Sequence, residues 1–176
     1  GLKERFQQIC RTAVEADGLV FDPESVTVRE IREDQTYESQ RVRLMAHLGN
    51  ARIQAQVDIG FGDVVTPGIQ TIDYPVLLEF PAPRIRAYPV ETVIAEKVEA
   101  MVTLGMQNSR MKDFYDLWLI SQQLPVSGST LVKAIRATFD RRETSIPDEA
   151  PVALSEEFTE DANKIVQWQA FLRRSG

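Results

Sequence analysis

The sequence predicts an α+β fold, with a small antiparallel sheet followed by a C-terminal helical lobe. Two observations carry this. Residues 41–59 alternate apolar and polar on both sides of a Gly49-Asn50 pair, the signature of two strands joined by a tight turn. From Tyr88 onward, apolar residues instead recur at spacings of three and four, the period of a helix with one buried face. The expected division is therefore an α+β lobe over 1–88 and a helical lobe over 89–176.

Taken in order, Leu2 to Ala16 reads as a helix with Leu2, Phe6, Ile9 (or Cys10) and Ala13 on one stripe, stopped by Asp17-Gly18. Val26 to Glu33 reads as a half-buried strand. In Arg41 to Leu48, Val42, Leu44 and Ala46 face one way and Arg41, Arg43 and Met45 the other. The partner strand, Ala51 to Ile59, turns Ile53, Ala55, Val57 and Ile59 inward and Gln54, Gln56 and Asp58 outward. Tyr74 to Phe80 is a short apolar run ended by Pro81 and Pro83, an edge strand or extended crossing, and Arg84 to Tyr88 a further short strand.

Pro89 sets a helix entry, and a second helix follows from Arg110 after a cap at Asn108 or Ser109. Leu124-Pro125 closes it. A third helix starts at Gly128 to Thr130, with Leu131, Ile135 and Thr138 (or Phe139) inward. A last one runs from a Ser155 cap through Arg173, packing through Phe158, Ile165, Trp168, Phe171 and Leu172.

Composition narrows the function classes. A single cysteine, Cys10, leaves no intramolecular disulfide and suits a reducing cytoplasm. One cysteine and one histidine (His47, read as structural) argue against a zinc site, so a metal here would be a hard cation on carboxylates. No apolar run approaches the roughly 18 residues needed to cross a bilayer, and no membrane partner is expected. A net charge of −6 does not advertise nucleic-acid binding, although most of the excess acid lies late, between Glu143 and Asp161.

The oddest polar placements fall between Tyr88 and Ile120. Lys97 has Val93, Ile94, Ala100 and Met101 at the positions three and four residues away. A lysine centred on such a face must reach out to water, be neutralised or meet an anion. In the KDFYD run that follows, Asp113 and Asp116 lie three apart on one side of the next helix. They are candidates for an active centre with Lys97, or equally for an ion pair across a helix hairpin. Asp58, at the end of its strand beside the GFGD segment, is placed either to meet a cation or phosphate or simply to face solvent.

The order YP, AEK, NSRMKDFYDL resembles the nucleotidyltransferase toxin family AbiEii/AbiGii, the toxins of type IV toxin–antitoxin (abortive infection) systems, over roughly Phe6 to Leu172. The resemblance implies a nucleotidyltransferase-like sheet before a helical lobe. It also implies transfer of a nucleoside monophosphate from a nucleoside triphosphate (NTP) to an RNA (tRNA) or protein acceptor in the cytoplasm, with a cognate antitoxin as partner. Asp58 matches the family's third acidic, metal-binding position, with Mg²⁺ as the expected ion. Lys97 matches the nucleotide-contacting lysine, with Lys112 as a second nucleotide-binding cation. Asp113 and Asp116 match the acidic residues of the helical lobe, Asp116 being the expected catalytic one and Asp113 its helper.

Members of the family carry a Gly-Ser or Gly-Gly turn and an Asp-x-Asp pair early in the chain. Residues 1–57 contain neither, and the expectation is that these ligands lie upstream of Gly1 and that this polypeptide is inactive alone. The alternative is a non-catalytic protein- or nucleic-acid-binding domain on the same fold. A hydrolase using Asp58 and Asp63 has no nucleophile and base to support it.

Overall fold

The computed structural model describes residues 1–31 and 39–175 and divides into two compact units, Gly1–Asp63 and Val64–Gly176. It is α+β, as the alternation and the helical periods predict.

In the first unit, helix α1 (Leu2–Cys10) is followed by a three-stranded antiparallel sheet, β1 (Leu19–Ile31), β2 (Ser39–Leu48) and β3 (Ala51–Gly60), in the order β1-β2-β3. The β2–β3 hairpin turns through Gly49 and Asn50 with Leu48 opposite Ala51. Gly49 takes φ +56°, the positive first-position φ that a tight hairpin turn asks of a glycine.

The apolar face carries Val26, Val42 and Leu44, all buried, with Leu2, Phe6 and Cys10 of α1 packed on it, which selects Cys10 rather than Ile9 for the helix stripe. Helix α1 ends at Cys10 and not at Ala16. Past that point the chain leaves the helix, and Val14 is exposed. Of the inward set on β3, Ala55 and Ile59 join this cluster, while Ile53 and Val57 stay largely in solvent.

Strand β1 starts earlier than Val26 because it continues through Pro23 by a bulge between Asp22 and Thr27. Proline offers no ladder donor. Ser25 covers the gap instead, accepting from the Met45 N–H at 2.8 Å while its hydroxyl donates to the Asp22 carbonyl at 2.6 Å. The predicted end of this strand at Glu33 lies outside the described residues.

The second unit opens with a two-stranded antiparallel hairpin, β4 (Gln70–Asp73) and β5 (Arg84–Ala87). The run Tyr74 to Phe80, expected as a strand, forms the hairpin tip beyond β4. Pro75, Pro81 and Pro83 remove ladder donors there, and Tyr74, Val76, Leu77, Leu78 and Phe80 are exposed.

Helix α2 (Val90–Leu104) follows Pro89, a single 3₁₀ turn (Gly105–Gln107) breaks the chain, and α3 (Met111–Gln123) begins one residue later than predicted. Asn108 is the hub of this connection. It is fully buried, its side-chain oxygen accepts from the Arg110 N–H at 2.9 Å, and its carbonyl accepts from the Lys164 ammonium at 2.8 Å.

Helix α4 (Gly128–Arg141) is capped by Ser127, whose hydroxyl oxygen accepts from the Thr130 N–H. It buries Ala134, Thr138 and Phe139. The predicted final helix is two, α5 (Glu156–Glu160) and α6 (Ala162–Ser175), because Asp161 is extended and its carboxylate accepts from the Lys164 N–H at 3.0 Å, starting a new helix. Ser155 makes no cap, its hydroxyl donating to the Val152 carbonyl instead. That break shifts the helical phase. Phe158 is buried and Trp168 and Phe171 pack on the core, but Ile165 and Leu172 face solvent and Lys164 takes an interior position.

These burial differences predict a contrast in the first unit. Val42→Ala should destabilise the protein by about 1–3 kcal/mol, the transfer plus cavity cost of a buried side chain. Val57→Ala on the facing strand should cost well under half as much. Urea unfolding of the two variants measures this directly.

Candidate functional site

The site is built from α2 and α3. Lys97 lies midway along α2, and Asp113 and Asp116 stand on the first two turns of α3. Three residues of an α-helix span nearly one turn, so the two carboxylates share a side. The Lys97 ammonium donates to Asp113 Oδ1, and to Asp116 Oδ2 at 2.9 Å. Lys112 approaches from the exposed side, donating to Asp116 Oδ2 at 2.6 Å and Oδ1 at 2.9 Å. The result is a chain of alternating charge, Asp113–Lys97–Asp116–Lys112.

Its inner members are shielded, with side-chain exposures of 16% for Lys97 and 22% for Asp116 against 73% for Lys112. Beneath them, Met101 and Met111 are buried, and Phe114 and Leu117 pack against the same cluster. Trp118 is mostly exposed and lies beside Tyr115 with ring centroids 5.7 Å apart.

Electrostatics fix the protonation of this chain. Burial pushes the Asp116 carboxyl up, but hydrogen bonds from Lys112 and Lys97, with their charges, outweigh it and hold the group below the usual carboxylate range. Burial pulls the Lys97 ammonium down, yet its hydrogen bonds to Asp113 and Asp116 win and raise it above the ordinary lysine value. At neutral pH both are charged.

Asp58 belongs to the other unit. It sits opposite Arg41 across β2 and β3 and accepts both arms of that guanidinium, from Nε at 2.7 Å and Nη2 at 2.8 Å. The Arg41 hydrogen bonds hold its carboxyl below the usual range. Arg43 and Gln56 continue the same polar face, paired at 3.0 Å.

Magnesium needs hard oxygen donors available to it. Asp58 gives both of its oxygens to Arg41, and Asp113 and Asp116 are turned to lysines. Within neither unit do three or more His, Cys, Asp or Glu side chains among the described residues form a group that could hold a metal. The donor set as it stands does not fit the ion.

A second polar network on α2 went unread in the sequence. Glu99 is nearly buried and receives three donors, Arg142 Nη1 at 2.9 Å and the hydroxyls of Thr103 and Thr144 at 2.7 Å each. The other arm of Arg142 reaches Glu96. The signal available was the i, i+3 spacing of Glu96 and Glu99 on α2.

A family model described as "Nucleotidyl transferase AbiEii toxin, Type IV TA system" matches residues 1–176. No curated protein and no solved structure matches the chain.

Two outcomes follow from this electrostatics. Removing the cation in Arg142→Ala should cost about 3–5 kcal/mol, the usual effect of leaving a buried carboxylate unpaired. Adding Glu99→Gln in the same chain should recover part of it, as thermal unfolding will read. The pH dependence of Asp116→Asn tests the other cluster. The Asp116 carboxyl is lower in the folded protein than its ordinary 3.8, so its stabilisation is complete above that pH and fades as pH falls through the folded value. Lys97, raised above 10.5, loses its contribution only as pH rises beyond that. The stability gap between wild type and Asp116→Asn should therefore be flat from about pH 5 to 9 and close in stronger acid.

Proposed function

The chain belongs to the nucleotidyl transferase AbiEii toxin family of type IV toxin–antitoxin systems, and from that premise we propose that Lys97, Asp113 and Asp116 form the reaction centre for transfer of a nucleoside monophosphate from an NTP to RNA. The observation that carries this reading is the Lys97 ammonium held between two carboxylates of the neighbouring helix, with a largely exposed Lys112 on the second of them.

Nucleotidyl transfer forms a bond from an acceptor hydroxyl oxygen to the α-phosphorus and breaks the bond to pyrophosphate. The protein's share is mostly alignment and stabilisation of charge on the phosphoryl oxygens. Lys97 and Lys112 supply that charge. When a polyphosphate draws the two ammoniums onto itself, Asp116 loses the donors that hold it low, and its carboxylate is released to face the acceptor. Asp113 stays on Lys97 and keeps it oriented. Mg²⁺ remains part of the reading for the reaction as a whole, but the carboxylates that would hold it are not these. The setting is the cytoplasm, and the antitoxin is the protein partner.

The non-catalytic binding reading has one observation in its favour, that Asp58, Asp113 and Asp116 are each already paired with a cation. Toxicity separates the two. On expression, Lys97→Met and Asp116→Asn should each abolish growth arrest. Asp113 and Asp116 lose a cation in Lys97→Met, so its stability should fall by about 1–3 kcal/mol. Pairing it with Asp113→Asn should restore the melting temperature and leave the toxin inactive. A stable, toxic double variant would retire the catalytic reading.

A further inference from the structure

Beside the charged chain, the entry of α3 and the last turns of α6 enclose a pocket of about 400 Å³. Its lining includes Ser109, Arg110 and Lys112 from one side and Gln167, Phe171 and Arg174 from the other. Three of the lining residues are cationic and none is acidic. Across the chain the balance runs the other way, with 26 acidic against 20 basic residues. Lys112 is also paired with Asp116, but no acid lines the pocket itself, so the field there favours an anion.

Two further features define what the pocket takes. The Arg174 guanidinium is anchored at the rim, Nε donating to the Ala170 carbonyl at 3.1 Å. Its two terminal nitrogens make no hydrogen bond among the described residues, so a donor fork of the kind that grips phosphate oxygens stands ready. Between the cations the lining is apolar, with Met111 on the α3 side and Ala170 and Phe171 on the α6 side. Cations from both helices with an aromatic ring among them suit a phosphate with its sugar and base better than a free inorganic ion. Lys112 lines the pocket and also bonds Asp116, so whatever occupies it lies next to the reaction centre.

We propose that this pocket is a phosphate subsite in which Arg110, Lys112 and Arg174 hold a phosphate of a nucleotide substrate alongside Lys97 and Asp116. The proposal rests on the nucleotidyltransferase reading and adds Arg110 and Arg174 to it. The shared chemistry is a phosphate ester flanked by sugar. Its source is either the polyphosphate of the NTP or the backbone of the RNA acceptor.

The test measures fluorescence anisotropy of a labelled short single-stranded RNA, and its competition by inorganic triphosphate, over a range of salt without added metal. Wild type is compared with Arg174→Ala and with Arg110→Ala/Arg174→Ala, each checked for an unchanged circular dichroism spectrum and melting temperature. Loss of two phosphate contacts should weaken binding about tenfold or more at low salt and reduce the log–log salt slope by about 1.4, at 0.7 per single-strand phosphate. A fall confined to RNA assigns the phosphate to the acceptor, and one confined to triphosphate assigns it to the donor; both support the subsite. Unchanged affinity and slope for both probes in the double variant overturn it, as does a wild type that binds neither. Toxicity of Lys97→Met keeps the two failures apart. An inactive Lys97→Met with unaffected arginine variants sinks the pocket alone, and a toxic Lys97→Met sinks the reaction centre beneath it.

Discussion

The second unit depends on one ammonium group between two carboxylates. Asp113 and Asp116 point to the same side of α3, three-quarters or more of each side chain is withdrawn from solvent, and without a cation they would repel across a medium of low dielectric. Lys97 resolves that conflict from the adjacent helix and is itself tolerable among Val93, Ile94, Ala100 and Met101 only because both acids meet it. Helix α2 is then fixed a second time. Glu99 is two residues on from Lys97, some 200° around the helix, and Arg142 together with two threonine hydroxyls holds it there. Charge on opposite sides of α2 sets the rotation of that helix about its axis, and with it the position of the Lys97 ammonium.

All three acidic residues singled out for chemistry carry a cation in this structure. Asp58 has Arg41, Asp113 has Lys97, and Asp116 has two lysines. A carboxylate held below its usual range in that way, as Asp58 and Asp116 are, is a weak base and a poor metal ligand. It is also poised for exchange, because a polyphosphate competes for the lysines on favourable terms. The bridge from the exposed Lys112 contributes little net stability, so its exchange costs the fold little. Lys112, the most exposed of the four, is the member that can leave first.

Much of this was legible in the chain, for reasons that differ element by element. The β2–β3 hairpin declared itself through strict alternation on both sides of Gly49-Asn50, and Lys97 with Asp113 and Asp116 through spacing alone, since helix geometry converts three- and four-residue separations into shared faces. What alternation could not show was the bulge at Pro23, where the Ser25 hydroxyl oxygen replaces a backbone carbonyl as acceptor for the Met45 N–H. Nor could periodicity show the break at Asp161, because an acid inside a helical pattern reads as first-turn charge until its carboxylate is seen capping a new helix. Arg142, Lys164 and the long-range role of Asn108 were missed for a common reason. Each gains its meaning from a partner more than forty residues away, and no local window contains such a pair.

The same physics argues for unequal roles of the two aspartates within the proposed reaction centre. Asp113 lies in the first turn of α3, where the unpaired N–H groups of the helix start favour a negative charge whatever its partner does. Asp116 sits a turn further in, beyond that support, and relies on Lys97 and Lys112. A substrate that takes both lysines changes the surroundings of Asp116 far more than those of Asp113. The carboxylate whose environment responds to substrate is the one suited to chemistry, and the one whose charge is supported by the backbone is suited to hold the lysine in place. Sequence spacing alone made the two interchangeable; the second lysine on Asp116 is what separates them.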